Sequence, residues 1–178
     1  MARSFIVEAD GGSRGNPGPA AYGTVVRDAL SGAVLAELAA YLGQATNNVA
    51  EYRGAIAGLA YAREADPDAL VEMRLDSKLI VEQMTGRWQI KSPDMRTLAR
   101  EARGIFPPGR VTYTWVPREK NKRADALVNE MIDAALARGE TSIRRIDGLP
   151  AEDRSADDVV GSIDVARSRT VVEEHVDE

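Results

Sequence analysis

Two stretches of alternating apolar residues stop on an aspartate: "SFIVEAD" at Asp10 and "ALVEMRLD" at Asp76. Two more acids stand in the first turns of helix-like segments, Glu51 in "NNVAEYRGAIAGL" and Asp125 in "NKRADALVNEM". Each has an ordinary explanation. An Asp before Gly-Gly is a common turn residue, and an acid near a helix start gains about 0.3–1 kcal/mol from the macrodipole. Together they permit more. Strand-end acids that meet at one sheet edge cannot both stay ionised without a counter-charge. A divalent cation supplies one, and hard oxygen ligands suit magnesium. Four such carboxylates can hold two ions about 4 Å apart, an arrangement that activates water and steadies the leaving oxygen in phosphodiester hydrolysis.

For that chemistry the elements must bring the acids together. Residues 4–10, 20–28 and 33–42 read as three strands, the last two joined by the short turn "ALSG", an antiparallel opening. Residues 47–66 take helical spacing, with Val49, Ile56, Leu59 and Ala60 as the apolar stripe. Residues 69–76 return to alternation, with Val71, Met73 and Leu75 on one face. Two helices follow, "SKLIVEQMTG" and "SPDMRTLAREARGIF", then a strand at 109–117 and a helix at 121–139 with an Asn cap and a Gly stop. The order βββαβααβα predicts an α/β fold on a mixed sheet. Right-handed crossovers make the two later strands parallel to the first. The first strand then lies at a topological switch point, where such sheets bind ligands beyond the strands' carboxyl ends.

The 178-residue chain has no cysteine, which excludes disulfides, thiol catalysis and zinc-thiolate sites. No apolar run approaches a membrane span, and a cytosolic protein without membrane contact is expected. The net charge of −5 resides wholly in residues 141–178, which hold five Arg against ten Asp or Glu. That segment lacks sustained periodicity and reads as a disordered acidic tail, leaving 1–140 as the folded domain. Residues 85–123 hold ten basic side chains against three acidic ones, a bias that fits either a polyanion-binding surface or a solvated helix face.

The stretches "DGGSRGNPGPAAYG", "TNNVAEYRGAIAGL", "LDSKLIVEQMTGRW" and "WVPREKNKRADALVN" resemble, in order, the motifs of type 1 ribonuclease H, over roughly residues 3–138. The resemblance implies a five-stranded mixed sheet flanked by helices, three antiparallel strands first and then two parallel to the first. It implies an endonuclease that cleaves the RNA strand of RNA–DNA hybrids, leaving 5′-phosphate and 3′-hydroxyl ends. It assigns Asp10 as the carboxylate bridging two Mg2+ ions (Mn2+ substituting), Glu51 and Asp76 as completing one shell, and Asp125 the other. Gly12 and the segment around Asn16 resemble the minor-groove reader, where contacts to 2′-hydroxyls distinguish RNA from DNA. Thr46 and Asn48 resemble a pocket for a DNA phosphate, and Asn47 a second groove reader. "NPG" and "TNN" also serve as plain turn and cap chemistry.

The chain departs from many relatives in three places. Lys78 follows Ser77 where Ser-Gln is common; it suits a backbone phosphate but cannot accept a hydrogen bond. "MTGRWQIKSPDM" passes between helices without the usual basic insertion, so Trp88 is expected to pack rather than stack on DNA. The loop before the last acid has no histidine, and its position offers Arg118 or Glu119 to assist turnover. A rival reading is a non-catalytic module binding hybrid or double-stranded RNA with the same fold, yet a pure binder gains nothing from clustered carboxylates facing phosphates. A proofreading exonuclease would want Asp-x-Glu on the first strand, where the chain has Glu8-x-Asp10. A magnesium-dependent, monomeric ribonuclease H is the expectation.

Overall fold

Alternation in "SFIVEADGGS" builds β1 (Ser4–Ser13), which buries Phe5, Val7 and Ala9 on one side. β2 (Gly18–Asp28) and β3 (Val34–Ala45) continue as an antiparallel meander. In the computed structural model, which describes residues 1–149, there follow α1 (Asn47–Ala65), β4 (Leu70–Leu75), α2 (Lys78–Met84), α3 (Pro93–Ile105) and β5 (Val111–Trp115). A 3-10 turn at Arg118–Lys120 leads into α4 (Lys122–Arg138), and β6 (Ser142–Leu149) completes the order. The sheet reads β5-β4-β1-β2-β3-β6. As expected, β4 runs parallel to β1 and β5 parallel to β4.

The two faces of the sheet are covered differently. Phe5, Val7, Val71, Met73 and Leu75 pack with Tyr52, Leu59, Ile80 and Leu98 of the first three helices. On the other face α4 sets Val128, Met131 and Ile132 against Ala21, Ala39 and Ile143. α1 buries a wider stripe than the one expected: Leu59 is buried and Val49 and Ile56 pack against the core, but Ala60 is exposed, and Glu51, Tyr52, Ala55, Gly58 and Ala62 also face inward. Small residues explain the shift. A Cβ on Gly58 would stand 2.3 Å from Val7 Cγ1, so the helix rests on its glycine and alanine side, which hydrophobicity alone does not mark.

The sheet has six strands, not five, and the folded unit runs past residue 140. β6 pairs antiparallel with β3, matching Ile143 to Ala39 and Arg145 to Glu37. Its inward alternation is hidden in the sequence because an arginine takes an apolar slot. Arg145 contacts Glu37 at 3.6 Å and also pairs with Glu130, while Arg123 reaches Glu37 at 2.9 Å. A buried charge is tolerated when paired in this way. The expectation of a disordered acidic tail beyond that strand falls outside the described residues.

Candidate active site

Parallel register sets the first two acids side by side. Ala9 pairs with Leu75, so Asp10 and Asp76 each stand one residue beyond that pair at the same sheet edge. Glu51 arrives from α1, which approaches β1 closely because residue 11 has no side chain. Asp10, Glu51 and Asp76 each offer one oxygen to a set whose members all lie within 4.8 Å of one another. Asp10 and Glu51 are buried and Asp76 is half-buried.

The electrostatics are those of crowded acids without enough positive charge. Burial, then the nearby Asp76, pushes the Asp10 carboxyl up to about 7. Burial, followed by the charges of Asp10 and Asp76, holds Glu51 well above the usual carboxylate range. Asp76 is raised by burial, against an opposing hydrogen bond from the Asn121 side chain and the attraction of Arg118. Glu51 Oε2 is buried with no hydrogen-bond partner among the described residues. An orphaned carboxylate oxygen costs free energy unless a cation meets it, so this donor set fits a hard divalent ion.

Asp125 reaches the same place from the opposite face. α4 crosses β2 at Gly23, where a Cβ would fall 2.4 Å from the Ala124 carbonyl. Asp125 then interacts directly with Asp10 and lies 3.9 Å from the exposed Arg118 guanidinium. All four acids line one open cleft of about 490 Å³, along with Gly12, Asn47 and Arg118.

Asn16, Thr46, Asn48 and Lys78, also singled out from sequence, do not line the cleft. Asn16 Oδ1 accepts the backbone N–H of Asn47 at 3.1 Å, tying the turn after β1 to the start of α1. Thr46 caps α1 by accepting from the Val49 N–H, so the cap reading of that residue holds. Asn48 is half-buried in the first turn of α1, and Lys78 is exposed at the first turn of α2. Glu119 is exposed beside Arg118 and does not line the cleft. Trp88 is 47% exposed rather than packed; it is Ile90 of the same loop that packs against the core, with Arg96 bonding the Ile90 and Lys91 carbonyls.

Two neighbours of the site were missed. Asn121 was expected to cap α4, yet its side chain makes no cap bond and instead donates to the Ala9 carbonyl at 2.9 Å. Trp115 donates its indole N–H to the Asp76 carbonyl at 3.1 Å. Both partners lie far away in sequence, so no local pattern marks either contact.

The comparisons with known proteins agree with this geometry. A family model described as "Reverse transcriptase-like" matches residues 8–131. A bifunctional protein of Mycobacterium tuberculosis is 54% identical over 132 residues, which are 73% of this chain and 36% of that protein. Its N-terminal RNase H domain, solved fused to maltose-binding protein, superposes with a TM-score of 0.70 at 48% identity, covering 78% of this chain and 99% of that one. RNase H1 of Halobacterium salinarum gives a TM-score of 0.69 at 43% identity, covering 74% and 99% of the two chains. The chain belongs to the type 1 ribonuclease H family.

Another solved ribonuclease H1 of the family, LC11-RNase H1 in complex with an RNA/DNA hybrid, matches with a TM-score of 0.68 at 42% identity, over 74% of this chain and 99% of that one. The chain spans only about a third of the mycobacterial protein's length. Among the described residues no helix is long and apolar enough to cross a membrane.

Proposed function

We propose that this ribonuclease H family member is a magnesium-dependent endonuclease that hydrolyses the RNA strand of RNA–DNA hybrids, leaving 5′-phosphate and 3′-hydroxyl ends. The observation that carries the reading is the buried set of Asp10, Glu51 and Asp76, with Asp125 in the same cleft. Asp10 would be shared by two ions, Glu51 and Asp76 would complete one shell and Asp125 the other, with Mn2+ able to substitute. When bound there, the ions supply the positive charge that activates water and stabilises the leaving oxygen.

The chain's own residues bind and orient the substrate. Gly12, Asn16 and Asn47 would contact 2′-hydroxyls, the groups that distinguish RNA from DNA; the reading is supported by Gly12 and Asn47 lining the cleft and by the bond that ties Asn16 to Asn47. The Thr46 hydroxyl accepts from Val49 and keeps its own proton to donate to a phosphate, with Asn48 beside it. Lys78 meets a backbone phosphate as an exposed point charge, and Arg118 attracts the phosphate nearest Asp125, with Glu119 adjoining. A monomeric, cytosolic protein fits this role. A hybrid-binding module without chemistry is disfavoured, since four carboxylates facing phosphates weaken binding unless they hold cations.

The test offers labelled RNA–DNA hybrid, double-stranded RNA and DNA duplex with magnesium or with EDTA. The reading expects cleavage of the hybrid's RNA strand in magnesium alone. Binding without cleavage in magnesium and in manganese would favour the binding module.

A further inference from the structure

Strand pairing ends at Leu75, so the β-ladder does not aim the Asp76 carboxylate. Two side chains from elsewhere meet Asp76. Trp115, paired with Leu75 at the end of β5, donates its indole N–H to the Asp76 carbonyl at 3.1 Å. Asn121 is 2% exposed; its amide nitrogen donates to the Ala9 carbonyl at 2.9 Å, and its side chain lies beside the Asp76 carboxylate. The Asn121 backbone carbonyl accepts the N–H of Asp125 at 3.1 Å. One residue therefore bonds the neighbour of Asp10 and the helical turn carrying Asp125, and stands beside the side chain of Asp76.

The arrangement sacrifices local stability. Asn before a helix ordinarily caps it with its own side chain, and Asn121 does not. Its Oδ1 is buried without a hydrogen-bond partner among the described residues, which adds a second cost. The amide cannot be turned to relieve this, because the Ala9 carbonyl only accepts and so requires the NH2 side. A residue that forgoes its cap to bridge three acid-bearing elements is placed for the site rather than for the helix.

We propose that Asn121 is a positioning residue that sets the spacing between the Asp10–Glu51–Asp76 cluster and Asp125, with Trp115 holding Asp76 from its backbone side. The inference rests on the metal-centre reading above and names what aims its ligands. Neither residue needs to touch substrate; each acts through Asp76.

The test compares wild type, Asn121→Ala and Trp115→Phe by Mn2+ titration calorimetry, by hybrid binding in EDTA, and by kcat and KM. Partners that orient metal ligands typically change metal affinity 10–100-fold. Asn121→Ala is expected to weaken Mn2+ binding at least tenfold and lower kcat similarly, with hybrid binding in EDTA and KM within twofold of wild type. Excess Mn2+ should restore part of its activity. Trp115→Phe keeps the ring and loses the N–H, and should weaken Mn2+ binding severalfold. A folded Asn121→Ala that titrates Mn2+ like wild type overturns the inference and leaves the metal centre standing. If Asn121→Ala does not fold, Trp115→Phe decides, and unchanged Mn2+ affinity in it overturns the inference. A wild-type chain that binds no Mn2+ overturns the metal centre itself, and the inference with it.

Discussion

The backbone nitrogen of Glu51 lies 2.2 Å from where a Cβ would stand on Gly11. The strand that carries one acid and the helix that carries another are thus in backbone contact, and only glycine permits it. Gly11→Ala must push α1 away from β1. Overpacking of this kind costs about 1–3 kcal/mol, and it withdraws Glu51 from Asp10. We expect a lower melting temperature, by calorimetry, together with weakened Mn2+ binding. A variant that melts and binds metal like wild type would show that α1 can slide without consequence.

Asp76→Asn keeps the shape of the site and removes one ligand charge. Hybrid cleavage should fall at least about a hundredfold, the scale of a lost electrostatic contribution to catalysis. Affinity for the hybrid should hold or rise, since a negative charge facing phosphates is gone. Single-turnover cleavage with a binding assay in EDTA checks both; near-normal turnover would refute the four-carboxylate site.

The metal-free protein should grow less stable as pH rises. Asp10 titrates near 7 in the fold, with Glu51 and Asp76 also raised, whereas unfolded carboxyls titrate near 4. The native state therefore binds more protons, and the stability this brings is complete below about 4 and lost as pH passes through about 7. Melting in EDTA should fall between pH 5 and pH 8. Added magnesium should stabilise most at the upper end, because binding displaces those protons. A flat melting profile in EDTA contradicts the crowding of these acids.

Arg118 lies 3.9 Å from Asp125 with its side chain 82% exposed, so it contributes attraction rather than structure. Arg118→Ala should reduce turnover severalfold and move the ionisation of the site to higher pH, because its charge opposes the upward shift of Asp76. An unmoved pH–rate profile would mean that Arg118 does not influence the ionisation of the site.

Truncation after Glu140 should destabilise the fold, because it removes buried Ile143 and takes Arg145 from Glu37. Breaking a buried ion pair costs about 3–5 kcal/mol, here softened by Arg123, which stays on Glu37. Truncation after Leu149 removes nine acidic residues and three arginines. It should leave the melting temperature unchanged and tighten hybrid binding at low salt. Equal melting of the two truncations would show that β6 is dispensable.

The position of Asp76 just past its strand and those of Glu51 and Asp125 in the first turns of their helices were legible from the chain, because alternation, helical spacing and stop signals are local; β1 instead runs past Asp10 to Ser13, because Gly11, Gly12 and Ser13 still pair with β2. Right-handed crossover then brings β4 beside β1, so two acids far apart in sequence had to meet. The four motifs, in order, carried the family. Other features depend on what stands opposite a residue in space, and only the tertiary structure decided them. Arg145 fills an inward slot of β6 because Glu37 and Glu130 wait there, a pairing no period-two pattern displays. α1 rests on Gly58 and its alanines because Val7 comes within contact of that face, although Val49 and Ile56 are the more apolar. Trp88 stays exposed while Ile90 of the same loop takes the contact with the core. Asn121 abandons its helix for the Ala9 carbonyl beside Asp76, since that buried carbonyl needs the donor more than the helix start does. Local chemistry placed the acids along the chain; their spacing from one another is set by backbone approach and by amides from distant residues, which exist only once the sheet and helices have closed.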